Sequence, residues 1–480
     1  MRHGTVRPQI SVDQMELPLE VRGEAPSGQR SGETGPTTQG TERSGADDLM
    51  SRVVERSNLA RALKRVRQNR GSAGSDGMTV EELLPYLRAH WPGIREALLA
   101  GTYQPSAVRQ HQIPKAGGGM RTLGIPTVLD RFIQQAVLQV LQPRLDPSFS
   151  ESSYGFRPGR RAHDAVCQAQ RYVQSGRRWV VDVDLERFFD RVNHDMLMGK
   201  LHQRIADRRG LVLIRRYLEA GVLANGVVQE RDEGTPQGGP LSPLLANVLL
   251  DDVDKALEQR GHCFVRYADD CNVYVRSKRA GERVMQALMG LYAKLRLRVN
   301  PDKSAVAKAW QRQFLGFSFW VAPGRVVKRR VAPKALEAMK QRVRQITCRS
   351  GGRSLTQIIA QLRSYLLGWH GYFRLADTPG IFTDLDKWLH HRLRAVILKQ
   401  WKRGTTTYRE LRRRGVSDRL ARAAAAHTGH WWRTASHGAL NTALPIQYFD
   451  ALGVPRLAGS NLNSLNRRMR TRMSGGVGGK

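Results

Sequence analysis

Cysteine is scarce in this chain of 480 residues: only Cys167, Cys263, Cys271 and Cys348 occur, and no two of them form a C-x-x-C pair. That excludes a disulfide-stapled scaffold and a zinc ribbon, and leaves reduced structural thiols, two of them inside apolar runs that read as strands. Long hydrophobic runs are missing as well. No stretch approaches the roughly 18 apolar residues of a membrane span, and the start lacks the apolar core of a secretory signal. A cytoplasmic or nucleoid-associated protein with no membrane partner is therefore expected. Acidic side chains are the third shortage: 42 Asp and Glu stand against 78 Lys and Arg, a formal charge of +36. With a sequence pI near 11.0, this excess points to a polyanionic partner, nucleic acid first.

The positive charge is unevenly spread. From residue 321 onward there are 31 Lys and Arg against 7 Asp and Glu, so two thirds of the excess sits in one third of the chain. The basic residues there are interleaved with Trp369, Tyr372, Phe373, Trp388, Trp401, Trp431 and Trp432, a mixture suited to phosphate contact and base stacking. Residues 1–48 are rich in Gly, Ser, Thr, Glu and Pro, lack apolar periodicity and are expected to be disordered, as is the basic, Gly-rich tail past Asn461. A helix is predicted from about Asp47 to Asn69, on Leu49, Val53, Leu59, Leu63 and Val66, and a second from Thr79. The middle, from about Arg109 to Trp320, mixes strand-like and helix-like runs in an α+β pattern. The basic third reads as helical, with Leu336, Met339, Val343 and Ile346, then Leu355, Ile358, Ile359, Leu362, Tyr365, Leu366 and Trp369 at helical spacing.

Two segments carry candidate chemistry. In Trp179-Val-Val-Asp-Val-Asp184 the alternation of an extended strand puts Asp182 and Asp184 on one face and Val181 and Val183 on the other. In Phe264-Val-Arg-Tyr-Ala-Asp-Asp-Cys-Asn-Val-Tyr-Val275 two apolar runs flank Asp269 and Asp270, predicting a hairpin with adjacent acids at its tip. Three carboxylates converging from neighbouring strands in so basic a chain make a natural site for two Mg²⁺ ions, which favour hard oxygen ligands.

Tyr267-Ala-Asp-Asp270 matches the Tyr-x-Asp-Asp box of reverse transcriptases. The Asp184 segment, Gly234-Thr-Pro-Gln-Gly-Gly-Pro-Leu-Ser-Pro243 and Phe314-Leu-Gly-Phe317 follow in that family's order. Over roughly residues 50–455 the chain resembles bacterial group II intron-encoded reverse transcriptases with maturase activity. The resemblance implies a right-hand polymerase, with fingers and palm on an antiparallel sheet, followed by an α-helical thumb and maturase domain. The corresponding division is 1–48 disordered, 49–105 a helical extension of the fingers, 106–320 fingers and palm, 321–425 thumb and maturase, and 426–480 a basic nucleic-acid-binding segment with a disordered tail. With no cysteine after Cys348, a Cys-containing nuclease module is not expected.

By the family pattern the catalytic and metal-binding residues are Asp184, Asp269 and Asp270, with Asp182 a rival on the same strand face. Phe188 and Phe189 fall where a bulky ring meets the nucleotide sugar, and both are candidates to exclude a 2′-hydroxyl. Lys115 and Arg121 flank three glycines of a fingers hairpin, with Arg109 assisting, and are expected at the triphosphate of a deoxynucleotide. Lys303 of Asn300-Pro-Asp-Lys303 is expected to approach the same triphosphate. Gln237 and Gly238 are expected at the nascent base pair. Arg157, Arg160 and Arg161 could hold template phosphates, while His163 is given no catalytic role. Trp369, Tyr372 and Arg374 lie in the Leu366-Leu-Gly-Trp-His-Gly-Tyr-Phe-Arg374 signature of the maturase region and, with Arg392, Arg394, Lys402 and Arg403, are expected to bind nucleic acid. The implied function is RNA-directed DNA synthesis, with intron RNA, a primed RNA template and target DNA as partners, together with assistance to splicing and mobility. A free-standing reverse transcriptase in repair or defence, and a splicing factor without polymerase activity, are the alternatives.

Overall fold

The structure, a computed structural model, describes residues 48–114, 120–224, 227–229, 233–235, 238–427 and 429–458. Apart from Asp48, the two segments expected to be disordered lie outside these residues. The strands are β1 (Val108–Pro114), β2 (Met120–Ile125), β3 (Trp179–Val183), β4 (Val222–Ala224), β5 (Val227–Gln229), β6 (Cys263–Tyr267), β7 (Asp270–Val275), β8 (Ala305–Lys308), β9 (Phe317–Val321) and β10 (Val327–Val331). The helices are α1 (Leu49–Val53), α2 (Arg56–Asn69), α3 (Leu83–Ala100), α4 (Val128–Leu145), α5 (Ala162–Gln174), α6 (His194–His202), α7 (Arg208–Glu219), α8 (Ser242–Gln259), α9 (Lys278–Lys294), α10 (Pro333–Ile346), α11 (Leu355–Phe373), α12 (Pro379–Trp401), α13 (Gly404–Arg413), α14 (Asp418–Ala426), α15 (Trp431–Thr434), α16 (Gly438–Ala443) and α17 (Ile446–Ala451). No helix among the described residues is long and apolar enough to cross a membrane.

The chain divides into two compact units, one of Met1–Arg161 and Val181–Val306, the other of Ala162–Val180 and Ala307–Lys480. In the first, the helix predicted over 47–69 is two helices. Glu55 is extended (φ −62°, ψ 136°) between α1 and α2. The Asn58 amide donates to Val53 O at 3.0 Å, taking up a carbonyl that the interruption of the helix would leave unpaired. Helix α4 starts at the N-cap Thr127, whose hydroxyl accepts from the Asp130 amide. Helix α8 is buried on most of its circumference, with Leu244, Leu245, Val248, Leu249, Leu250, Val253 and Leu257 inside together with Asn247, Asp251 and Asp254.

Two four-stranded sheets belong to this unit, in the orders β2-β1-β4-β5 and β6-β7-β3-β8. The hairpins β1/β2, β4/β5 and β6/β7 are antiparallel as expected, but β1 and β4 pair in parallel. That departure is physically open because their connection is long and helical, which parallel strands require. In β3 the alternation holds: Val181 and Val183 are buried, Asp182 and Asp184 half-exposed.

The second unit shows why residues 162–180 do not group with the expected span of 106–320. Gln170 Nε2 donates to Val327 O at 2.7 Å, and Val327 N donates to Gln174 Oε1 at 2.6 Å, so α5 is tied to β10. Arg329 of β10 pairs with Asp377 at 2.7 Å and donates to Cys167 Sγ at 3.1 Å. Of the predicted stripes, Met339, Val343 and Ile346 are buried on α10 and Ile358, Ile359, Leu362, Leu366 and Trp369 on α11, while Leu336, Leu355 and Tyr365 are half-buried. The stretch from residue 429 to residue 458, within the expected basic C-terminal segment, forms short helices that bury Leu440, Leu444, Phe449 and Leu457. The Asp386 carboxylate accepts from the Leu457 and Ala458 amides and ties the end of that stretch to α12.

Candidate functional site

Local chemistry places the acid pair. Strands β6 and β7 pair from Cys263 opposite Tyr274 to Tyr267 opposite Asp270, which leaves Ala268-Asp269 as a two-residue turn. Ala268 sits at φ +59°, as the tight turns of hairpins demand. β7 lies beside β3 in the sheet, and Asp269 of the turn lines the same cleft as Asp184 at the end of β3. Asp184 follows β3 and is laced to the segment before β8. Its amide donates to Ser304 Oγ at 3.0 Å, and its carbonyl accepts from Asn300 N at 2.8 Å. Glu186 N donates to Arg298 O at 2.8 Å, and Leu185 bridges Val299.

These contacts build a cleft of about 520 Å³ lined by Asp184, Asp269, Phe188, Phe189, Asn300 and Lys303 among others. Asp184 and Asp269, from separate stretches, thus share one cleft, with Asp270 next in the chain; Asp182 does not line it. Lys303 Nζ stands 3.2 Å from Asp184 Oδ2, an oxygen that is buried and has no hydrogen-bond partner. The pair is therefore an ion contact without hydrogen-bond alignment, and the most obvious cation in the cleft rests on the acid expected to bind metal. Among the described residues no group of three His, Cys, Asp or Glu side chains closes into a metal-holding cluster. The donors nevertheless suit a hard divalent cation: carboxylate oxygens, one of them buried with nothing donating to it.

Phe188 is 3% exposed and belongs to the core, whereas Phe189 is half-buried; their rings meet edge to face at 5.1 Å. Gly238 has φ +150°, and a Cβ there would lie 2.5 Å from the Gly124 carbonyl of β2. The Cβ of an alanine at 239 would lie 2.5 Å from Gln134 Oε1 of α4. The loop after residue 237 is thereby pressed against the fingers hairpin and α4. Arg109 lies on β1, half-buried, with Nε unpartnered. Arg121 is on β2 opposite Ile113. Lys115 and Gln237 lie outside the described residues.

The expected nucleic-acid contacts are placed unevenly. Arg157, expected at template phosphates, is buried: it pairs with Asp146 at 2.9 Å and donates to the Ser150 and Ser153 carbonyls. Its donors are used inside the protein, where they clamp the loop before α5. Arg160 pairs with Glu151, and its guanidinium lies over Tyr154. Arg161 is exposed. Trp369 is 9% exposed and packs on Phe373 and Phe382. The Tyr372 hydroxyl donates to Leu315 O at 2.9 Å. Arg392 lies over both Trp388 and Trp432 and donates to Thr347 Oγ1; Arg394 donates to Leu444 O. Arg374, Lys402 and Arg403 are exposed. Sequence reasoning overlooked Thr122 and Arg187, which also line the cleft. Arg187 stood only three residues past Asp184 and could have been found by proximity, whereas Thr122 is brought in by the β1/β2 hairpin.

Known proteins resemble the chain in both units. The family model described as reverse transcriptase (RNA-dependent DNA polymerase) matches residues 113–319, and that of the group II intron maturase-specific domain matches residues 336–415. Protein YkfC of Escherichia coli strain K12 is 32% identical over 299 residues, 54% of this chain and 78% of that protein. The group II intron-encoded protein LtrA of Lactococcus lactis subsp. cremoris is 42% identical over 167 residues, 35% of this chain and 28% of LtrA, so the match spans under a third of LtrA's length. Among solved structures, a partial Cas6-RT-Cas1--Cas2 complex is similar at 26% identity and a TM-score of 0.35, covering 52% of this chain and 43% of that one.

Proposed function

The chain belongs to the reverse transcriptases and carries a group II intron maturase domain, and from that premise we propose that it copies RNA into DNA for a group II intron, binds the intron RNA, and assists its splicing and mobility. The observation that carries the polymerase reading is the cleft shared by Asp184 and Asp269 with Phe188, Phe189 and Lys303. Asp184, Asp269 and Asp270 are the residues that would hold two Mg²⁺ ions. Such ions activate a primer 3′-hydroxyl and stabilise departing pyrophosphate when bound.

The remaining work is done by the chain itself. Lys115, Arg121 and Arg109 neutralise the triphosphate from the fingers hairpin, and Lys303 joins them once it leaves Asp184. Phe189 presents its ring to the sugar. Gln237 and Gly238 meet the new base pair, and Gly238 is held where a Cβ would fall 2.5 Å from the Gly124 carbonyl of β2. The exposed cations Arg161, Arg374, Lys402 and Arg403 bind RNA phosphates. The partners are intron RNA, a primed RNA template, target DNA and deoxynucleoside triphosphates.

The test is primer extension on RNA with deoxynucleotides and Mg²⁺, with a chelator control. Asp269→Ala should lower extension by about 1,000-fold or more, the loss expected when several kcal/mol of transition-state charge stabilisation disappears. Intron-RNA binding, measured by filter retention, should stay at the wild-type level. Equal loss of both functions, or extension that persists in chelator, would remove the polymerase role from this cleft.

A further inference from the structure

We propose that Arg266 is a positioning residue for the acid pair: its guanidinium fixes the backbone of the turn from which Asp269 and Asp270 project. The proposal rests on the polymerase reading and extends it to a residue that does not line the cleft.

Arg266 is 0% exposed, one of the largest wholly buried side chains among the described residues. All its donors are engaged. Nε donates to Asp254 Oδ1 at 2.8 Å, and Nη2 to Asp254 Oδ2 at 2.6 Å and Ser153 Oγ at 2.8 Å. Nη1 donates to Asn247 Oδ1 at 3.0 Å and to Ala268 O, in the turn itself, at 2.8 Å. Its backbone is anchored too: Arg266 N donates to Ser152 O, and Tyr154 N donates to Arg266 O. The turn is also packed against Gly155. A Cβ on Gly155 would lie 2.1 Å from Ala268 N, and Asn247 Nδ2 holds Gly155 O at 2.9 Å.

Burying a guanidinium and a carboxylate gains little over packed apolar side chains, so stability alone does not call for this pair. An apolar side chain cannot hold the Ala268 carbonyl. Ala268 occupies φ +59°, a conformation a residue with a Cβ keeps only when its surroundings over-determine it. The guanidinium and Gly155 together supply that determination, and the acids next in sequence inherit the resulting geometry. A lysine at 266 is a compact point charge without the planar fork; it can meet Asp254 but cannot also span Asn247, Ser153 and Ala268.

The experiment compares the full-length wild type with Arg266→Lys and Ala268→Gly, the second of which loosens the turn and removes no buried partner. Primer extension is measured against Mg²⁺ concentration, together with template–primer affinity, thermal midpoint and amide hydrogen exchange in the peptide from residue 263 to residue 275. Both variants should lower kcat by about 10- to 100-fold, the scale of a reacting group displaced by about 1 Å. Both should need more Mg²⁺ and exchange faster at the turn, with template–primer affinity unchanged. Ala268→Gly should also keep the wild-type thermal midpoint. If Arg266→Lys melts earlier but keeps wild-type kcat, Mg²⁺ requirement and turn exchange, the pair is merely structural and the proposal fails. It fails equally if Ala268→Gly behaves as wild type in all three. Should Arg266→Lys not fold, Ala268→Gly decides alone. A wild type that extends no primer would overturn the polymerase reading instead, while hydrogen exchange would still report whether Arg266 orders the turn.

Discussion

At the scale of single residues, the two adjacent phenylalanines are equivalent in the sequence and different in the fold. Phe188 is 3% exposed and Phe189 half-buried, though both border the cleft. A ring that excludes a 2′-hydroxyl must be open to the cleft, and Phe189 is the more exposed of the two. Phe189→Ala should therefore lower discrimination against ribonucleotides by about 10-fold or more, the range a steric pocket contact commands. Phe188→Ala should leave discrimination intact and cost about 3–5 kcal/mol of stability, as emptying a packed aromatic site does. Ratios of kcat/KM for ribo- and deoxynucleotides, set beside thermal melts, check both. Lost discrimination in Phe188→Ala with none lost in Phe189→Ala would reverse the assignment.

At the scale of elements, the loop after Gln237 joins three parts of the first unit through two glycines. A Cβ at Gly238 meets a backbone carbonyl of β2 at 2.5 Å, whereas one at Gly239 meets the end of the Gln134 side chain at the same distance. Backbone cannot swing aside and a side-chain amide can. Gly238→Ala should thus lower kcat/KM for deoxynucleotides by about 10- to 100-fold through displacement of β2 or the loop, and Gly239→Ala should do less. Steady-state extension with each variant decides it, and equal effects would mean that β2 does not constrain the loop. The elements nearest this chemistry were legible because their signals are local: the Tyr267–Asp270 hairpin and the alternation of Asp182 and Asp184 need only neighbours in sequence. What escaped is long-range. The break at Glu55 depends on Asn58 bonding both Val53 O and Ala136 O. Grouping α5 with the second unit depends on bonds to Val327 and Arg329, more than 150 positions away in the chain. Burial of Arg157 depends on its pairing with Asp146, in the short 3₁₀ turn that follows α4, which no local sequence pattern specifies.

At the scale of the whole molecule, a net charge of +36 describes the field that draws a polyanion in, and does not say which cations touch it. The second unit illustrates the difference. Arg392 lies between Trp388 and Trp432, with guanidinium-to-ring distances of 5.4 and 5.9 Å, and donates to Thr347. Those aromatic rings, which in the sequence suggested base stacking, are partly occupied by the protein's own arginine. Lys402 and Arg403, just past α12, are exposed and free of such packing. Every phosphate that is no longer neutralised should flatten the slope of log binding constant against log salt by about 0.7–0.9. The double variant Lys402→Gln, Arg403→Gln should therefore reduce the slope by up to about 1.8 and leave the thermal midpoint unchanged. Arg392→Ala should do the opposite, lowering the midpoint because its stem and planar head fill space between two rings, with the slope retained by whatever protein remains folded. Binding isotherms at several salt concentrations, paired with melting curves, separate these outcomes. A full slope in the double variant together with a reduced one in Arg392→Ala would mean that the packed arginine, and not the exposed pair, is what the RNA meets.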